Sequence, residues 1–206
     1  MHETPPSGPA HNPRLAPAKA AAPAEYWLTR FVLLRLLGFI YFIAFLVAVN
    51  QLIPLIGHDG LLPADTYLHR LTERFGSSTD GFFEIPSVFW ISVSDDALRV
   101  VSWLGLLLSL VVICGYANSL IMLALWALYM SIINVGQLWY SYGWEIQLLE
   151  TGFLAVFLCP LLDARPFPRR APPVVVFWLY RWLIFRIMVG AGMIKLRGDA
   201  CWRDLT

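Results

Sequence analysis

The residues best able to do chemistry lie where a hydrocarbon environment makes them expensive. The stretch RWLIFRIMVGAGMIKLRGDACWRDLT (181–206) sets Arg181 and Arg186 in an apolar helical run and closes with a dense polar knot. An arginine inside a membrane span costs about 2.5–3.5 kcal/mol on insertion scales, so two in one span need partners or a purpose. The stretch YGWEIQLLETGFLAVFLCP (142–160) adds Glu145, Gln147 and Glu150 to another apolar run. Helical spacing puts Gln147 and Glu150 on one face and turns Glu145 away from Glu150. These groups could wall a polar cavity opening outward, with Asn134 joining them. The plainer reading is that they form ion pairs that set helix register.

Depth decides which of these charges can meet. At helical rise, Glu150 sits roughly 9 Å below the outer end of its span, and Arg186, on the antiparallel next span, roughly 12 Å below the same surface. A mid-membrane ion pair is expected. Glu145 and Lys195 both fall near the outer boundary and are expected to pair there. Arg35 and Arg181 each lie roughly 10 Å from the inner surface, with no acidic residue at that level. They must snorkel, bind backbone carbonyls or hold an anion such as a lipid phosphate.

Signatures of soluble enzymes are missing: the sequence holds no HExxH, CxxC, Walker loop or GxSxG. His58 and His69, in a polar link, read as surface residues, since two ligands cannot complete a zinc site. No cofactor or metal is expected, and no catalytic residue is assigned.

The elements that position these groups follow from composition. The chain is 58% hydrophobic and 14% charged, against roughly a quarter charged in soluble domains, so it is read as an integral membrane protein. The net charge of +1 gives no reason to expect a nucleic-acid partner. Five apolar segments are long enough to be read as spans: Leu28 to Val49, Leu98 to Cys114, Ser119 to Val135, Trp144 to Leu162 and Val174 to Ile194. The fold class expected is therefore all-α, a multi-pass helical bundle over residues 26–196. Residues 1–25, rich in Pro and Ala, read as a disordered cytoplasmic tail. No cleavable leader is evident, and the first span is read as a retained anchor. Cys114 and Cys159 are expected as small core residues, and Cys201 as free to pair with a cysteine elsewhere.

Gly115 to Asn118 reads as a tight turn between the second and third spans. Residues 136–143 read as an aromatic interfacial belt. The link 50–97 is the large non-cytoplasmic one, and its stretch Pro63 to Phe75 has an amphipathic pattern suited to the membrane surface. Arg14, Lys19 and Arg30 at one end of the chain and Arg165, Arg169 and Arg170 in the fourth link lie on one side if the N-terminus is cytoplasmic. The C-terminus then faces outward. The knot Asp199, Cys201, Trp202, Arg203 and Asp204 would sit at the outer interface, with 197–206 starting a truncated non-cytoplasmic region.

Four blocks resemble the lipase maturation factor family: WLTRFVLLRLLGFIYFIAF at 27–45, NQLIPLIGHDGLLPA at 50–64, and the stretches at 142–160 and 181–206 quoted above. The chain is similar to the N-terminal membrane portion of a member, one that is truncated or bacterial by its tail and compact links. The resemblance implies a non-enzymatic membrane factor that assists folding and assembly of secreted lipases or other client proteins, in contact with membrane lipids. The membrane would be that of the endoplasmic reticulum in a eukaryote and the cytoplasmic (inner) membrane in a bacterium. The membrane part also resembles that of vitamin K-dependent carboxylases. Two further readings thus stay open: a membrane enzyme using Glu150, Arg186 or Lys195 for proton chemistry, and a lipid-handling or transport protein using Arg35 and Arg181.

Overall fold

A computed structural model of the chain describes residues 26–168, 171–198 and 202. The expected tail 1–25, Arg169, Arg170 and the knot residues Asp199, Cys201, Arg203 and Asp204 lie outside the described residues.

Helix α1 (Trp27–Ile56) is almost continuously apolar and runs for 30 residues. That is roughly 45 Å, well beyond a hydrocarbon core of about 30 Å, so one end stands clear of it. Its last carbonyls are satisfied by the returning chain: Leu61 and Leu62 donate backbone N–H groups to Pro54 and Leu55, at 3.2 and 2.8 Å. Two short helices fill the link, α2 (Ala64–Phe75) and α3 (Ser78–Glu84). Helix α4 (Asp95–Ile113) begins at Ser94, whose Oγ accepts from the Ala97 N–H at 3.1 Å, and Asp95 and Asp96 favour its positive end. Helix α5 (Ser119–Val135) starts on the Asn118 carboxamide, which accepts from the Ile121 N–H at 2.8 Å.

Helix α6 (Gly143–Leu158) stops short of the expected Leu162. Cys159 precedes Pro160 and is extended (φ −89°, ψ 151°), as the proline ring demands of its predecessor. Helix α7 (Val174–Arg197) begins after Pro172-Pro173 and carries Lys195 and Arg197 in its last turn.

The described residues thus hold seven α-helices and no strand, an all-helical bundle. Its five apolar helices fall on the five expected segments. Three are long and apolar enough to cross a membrane, Trp27–Ile56, Asp95–Ile113 and Val174–Arg197, and Ser119–Val135 is a shorter apolar helix. The chain is a membrane protein.

The most extensive packing is α1 on α4, where Gly38 meets the Val112 side chain and Gly105 meets the Phe45 ring. Helix α5 packs between α4 and α6, and α6 touches both α1 and α7. Tyr41, Phe45, Met122, Leu125, Tyr129 and Ile132 form the fully buried centre. Helix α7 is held mainly by its first half, through Val176, Phe177, Tyr180 and Leu183; from Ile184 onward its residues are exposed or half-buried.

Two expectations change. Helix α2 does not reserve its apolar face for lipid, since Leu68 and Leu71 are buried in the core with Phe75 packed beside them. Cys159 is buried, but Cys114 is exposed, because it caps α4 where the chain turns away from the bundle.

Candidate functional site

Arg186 of α7 donates to the carboxylate of Glu150 on α6. Antiparallel helices bring the two to one level, where neither could stay unpaired cheaply in hydrocarbon. At the next residue of α6, Thr151 donates its hydroxyl to the Gln147 carbonyl at 2.6 Å, and Tyr180 of α7 donates to the Thr151 carbonyl at 2.9 Å. The α6–α7 seam is therefore polar along its inner half. Gln147 itself is exposed.

Glu145 behaves differently from the expectation. It is 2% exposed and accepts from the Tyr142 backbone N–H at 3.0 Å, closing the first turn of α6. Lys195 lies elsewhere, its ammonium 4.6 Å from the Trp202 ring centroid. The expected Glu145–Lys195 pair does not form, since α7 leaves the bundle before its last turns and each group finds a nearer partner. Asn134 does not wall a cavity with Gln147; its amide donates to the Pro86 carbonyl at 2.6 Å. Ser131 reinforces that junction, accepting from the Val88 N–H at 3.0 Å, while Ser87 donates to the Ser131 carbonyl at 3.2 Å. The large link is thereby fastened to α5. Gln137, at φ 51°, adds a bond from its amide to the Leu62 carbonyl at 3.0 Å.

At the opposite end, the Arg35 guanidinium carbon lies over Phe31, 3.2 Å from its centroid, and Arg35 donates to the Phe31 carbonyl at 3.4 Å. Phe31 in turn stacks on Phe167 at 4.6 Å, pinning the link after α6 to α1. The guanidinium fills the space where a Cβ on Gly115 would stand, and Gly115 has φ +106°. Arg181 is exposed, 4.8 Å from the Trp178 ring.

Sequence reasoning missed two features. Arg30, taken only as a charge for orientation, is 3% exposed and sits over Trp27 at 4.7 Å. Its place in the first turn of an apolar helix was the available signal. The second is a buried aromatic cluster in which the Tyr41 and Tyr129 rings meet edge-on at 5.9 Å, with Phe45 5.5 Å from Tyr129. Among the described residues no set of three or more His, Cys, Asp or Glu side chains is arranged to hold a metal ion.

The whole of this frame, residues 28–206, matches the family described as the lipase maturation factor transmembrane domain. The chain belongs to the lipase maturation factor family. It is 53% identical over 197 residues to lipase maturation factor 1 of Bos taurus, covering 92% of this chain and 35% of that protein. Human lipase maturation factor 1 is 50% identical over 211 residues, covering 99% and 37% respectively. Lipase maturation factor 2 of Xenopus laevis is 36% identical over 196 residues, with 88% and 27% covered. The chain thus spans little more than a third of the length of the lipase maturation factors it most resembles among these. No solved structure matches it. The Arg186–Glu150 pair and the link fastened to α5 lie within the matched residues.

Proposed function

We propose that this chain is the membrane portion of a factor that brings lipases to maturity, acting without catalysing a reaction of its own. The observation that carries the reading is the match to proteins named lipase maturation factor 1 at 50–53% identity over nearly the whole chain. In this reading the five apolar helices each cross the endoplasmic reticulum membrane. The N-terminus and the link after α6 face the cytoplasm, and the link between α1 and α4 faces the lumen. The charge distribution supports that orientation: Arg30, Arg35 and Arg165 gather at one end, with Asp163 as the carboxylate beside them. The bundle then acts as a scaffold, its lumenal link held rigidly on α5 to meet a secreted lipase. Proton chemistry by Glu150, Arg186 and Lys195 gains no support, since Arg186 and Glu150 neutralise one another and Lys195 lies against Trp202.

The test is a chimera in which residues 28–206 replace the matched segment of the Bos taurus relative, expressed in cells lacking their own maturation factor. Recovery of active secreted lipase is expected. A chimera present at normal abundance in the membrane that restores no lipase activity would overturn the reading.

A further inference from the structure

Polar side chains of α5 receive the α1–α4 link at successive levels. Gln137, just past the helix, donates its amide to the Leu62 carbonyl. Asn134 bonds Pro86, and Ser131 bonds both Ser87 and Val88. The link therefore descends along α5 from Leu62 to Val88 before it returns to Ser94 at the start of α4.

Helical rise converts these levels to depth. Ser131 stands roughly 18 Å along α5 from Ser119. Just before Ser119 the Arg35 guanidinium lies against Gly115, and a cation at such a place reaches for the headgroups. Counted from there, a hydrocarbon core of about 30 Å ends roughly 12 Å beyond Ser131. Helix α1 gives the same far surface, since Ile56 lies roughly 31 Å beyond Arg35. Residues Pro86 to Val88 thus sit well inside the leaflet on the side of the α1–α4 link.

Irregular backbone is tolerated at such depth only where protein satisfies its polar groups. Here Ser131 accepts from the Val88 N–H, and Asn134 donates to the Pro86 carbonyl. The Ser87 hydroxyl accepts from the Phe89 N–H at 3.2 Å, and the Trp90 indole donates to the Ile85 carbonyl at 2.8 Å. From Ile85 through Ser94 the sequence carries no charged residue, although Glu84 and Asp95 bound it. Trp90 also packs against Gly81, which holds α3 beside this stretch. The outward side chains are apolar, Ile91 being 90% exposed and Phe83 79%. Water makes such exposure costly, whereas acyl chains solvate it. We propose that residues 85–91 form a re-entrant wedge in this leaflet, with Ile91 and the neighbouring Phe83 lying against lipid acyl chains. The wedge presupposes that α5 crosses the membrane, as proposed above, and is indifferent to the orientation of the bundle.

The experiment puts one spin label at a time on the full chain in phosphatidylcholine vesicles, with Cys114, Cys159 and Cys201 changed to serine. The labelled variants are Phe83→Cys and Ile91→Cys, with Leu107→Cys on α4 as the reference in hydrocarbon and Asp59→Cys as the reference in water. Collisions with oxygen, which concentrates among acyl chains, are compared with collisions with a water-soluble nickel chelate. The oxygen-to-nickel ratio at Phe83 and Ile91 is expected to match that at Leu107 and to exceed that at Asp59 severalfold. Both positions are exposed, so a label there displaces no core packing. Should the serine background fail to fold, the buried Cys159 is kept. A ratio at Ile91 equal to that at Asp59, with Leu107 still in the hydrocarbon range, would overturn the wedge alone and leave a water-facing surface free for a protein partner. A ratio at Leu107 equal to that at Asp59 would overturn the membrane spans, and the wedge with them.

Discussion

Arg186 and Glu150 face each other across the α6–α7 seam, and this pair joins the two helices at the level where α7 begins to leave the bundle. Beyond it, α7 runs on to Arg197 with its side chains exposed or half-buried. Among the described residues, the ion pair is the last hydrogen bond or salt bridge that ties α7 to another helix.

Removing either partner should therefore free α7. Glu150→Gln and Arg186→Gln are each expected to cost about 3–5 kcal/mol, since a charge is left unpaired in a low-dielectric setting. The double variant should recover part of that loss. Folded yield and unfolding temperature in detergent check this, and a double variant no better than the singles would show that the two do not interact.

Gly115 lets the chain turn from α4 into α5 while Arg35 lies against it. Gly115→Ala must accommodate both a positive φ and the guanidinium, and a loss of about 1–3 kcal/mol is expected. Pairing it with Arg35→Ala should relieve the steric part and leave the backbone part. Thermal unfolding of the three variants separates the two contributions.

Outside the membrane, His58 ties the end of α1 to two other helices. Its ring Nδ1 lies 2.8 Å from the Asp65 carboxylate of α2, and its backbone N–H donates to Asp95 of α4 at 2.8 Å. The hydrogen bond to Asp65, then the charges of Asp65, Asp59 and Asp95, hold the imidazole above its ordinary value of 6.5. The same hydrogen bond to His58 leads in holding Asp65 below its ordinary 3.8. A raised histidine stabilises fully below 6.5 and loses that contribution as pH rises through its raised value. A lowered aspartate stabilises fully above 3.8 and loses its contribution as pH falls through its lowered value. The pair is therefore complete between 3.8 and 6.5. Unfolding temperature should fall gently on the alkaline side of that window, and Asp65→Asn should flatten the fall. An unchanged profile in Asp65→Asn would remove the pair as its cause.

The proposed orientation assigns opposite sides to two links. With Cys114, Cys159 and Cys201 changed to serine, a cysteine at Asp59 should react with a membrane-impermeant reagent only from the lumenal side. A cysteine at Arg165 should react only from the cytoplasmic side. Labelling of both from the same side would overturn the five-pass arrangement.

Much of this protein is legible in one dimension. Apolar length locates α1, α4, α5, α6 and α7; Ser94 and Asn118 mark two helix starts, and Pro160 marks an end. These are local effects of burial and backbone chemistry, which act over a few residues. Helical rise also puts Glu150 and Arg186 at similar depth, because the end of α6 near Glu150 and the end of α7 near Arg186 are counted from the same surface. Depth alone does not give lateral position. It put Glu145 and Lys195 at one level too, yet Glu145 turns inward to cap its own helix while Lys195 rides outward on the free half of α7. Likewise the burial of Arg30 depends on α5, α6 and the proline-rich link closing over the start of α1. Only packing brings those segments together, and rotation of each helix about its own axis decides which charges meet.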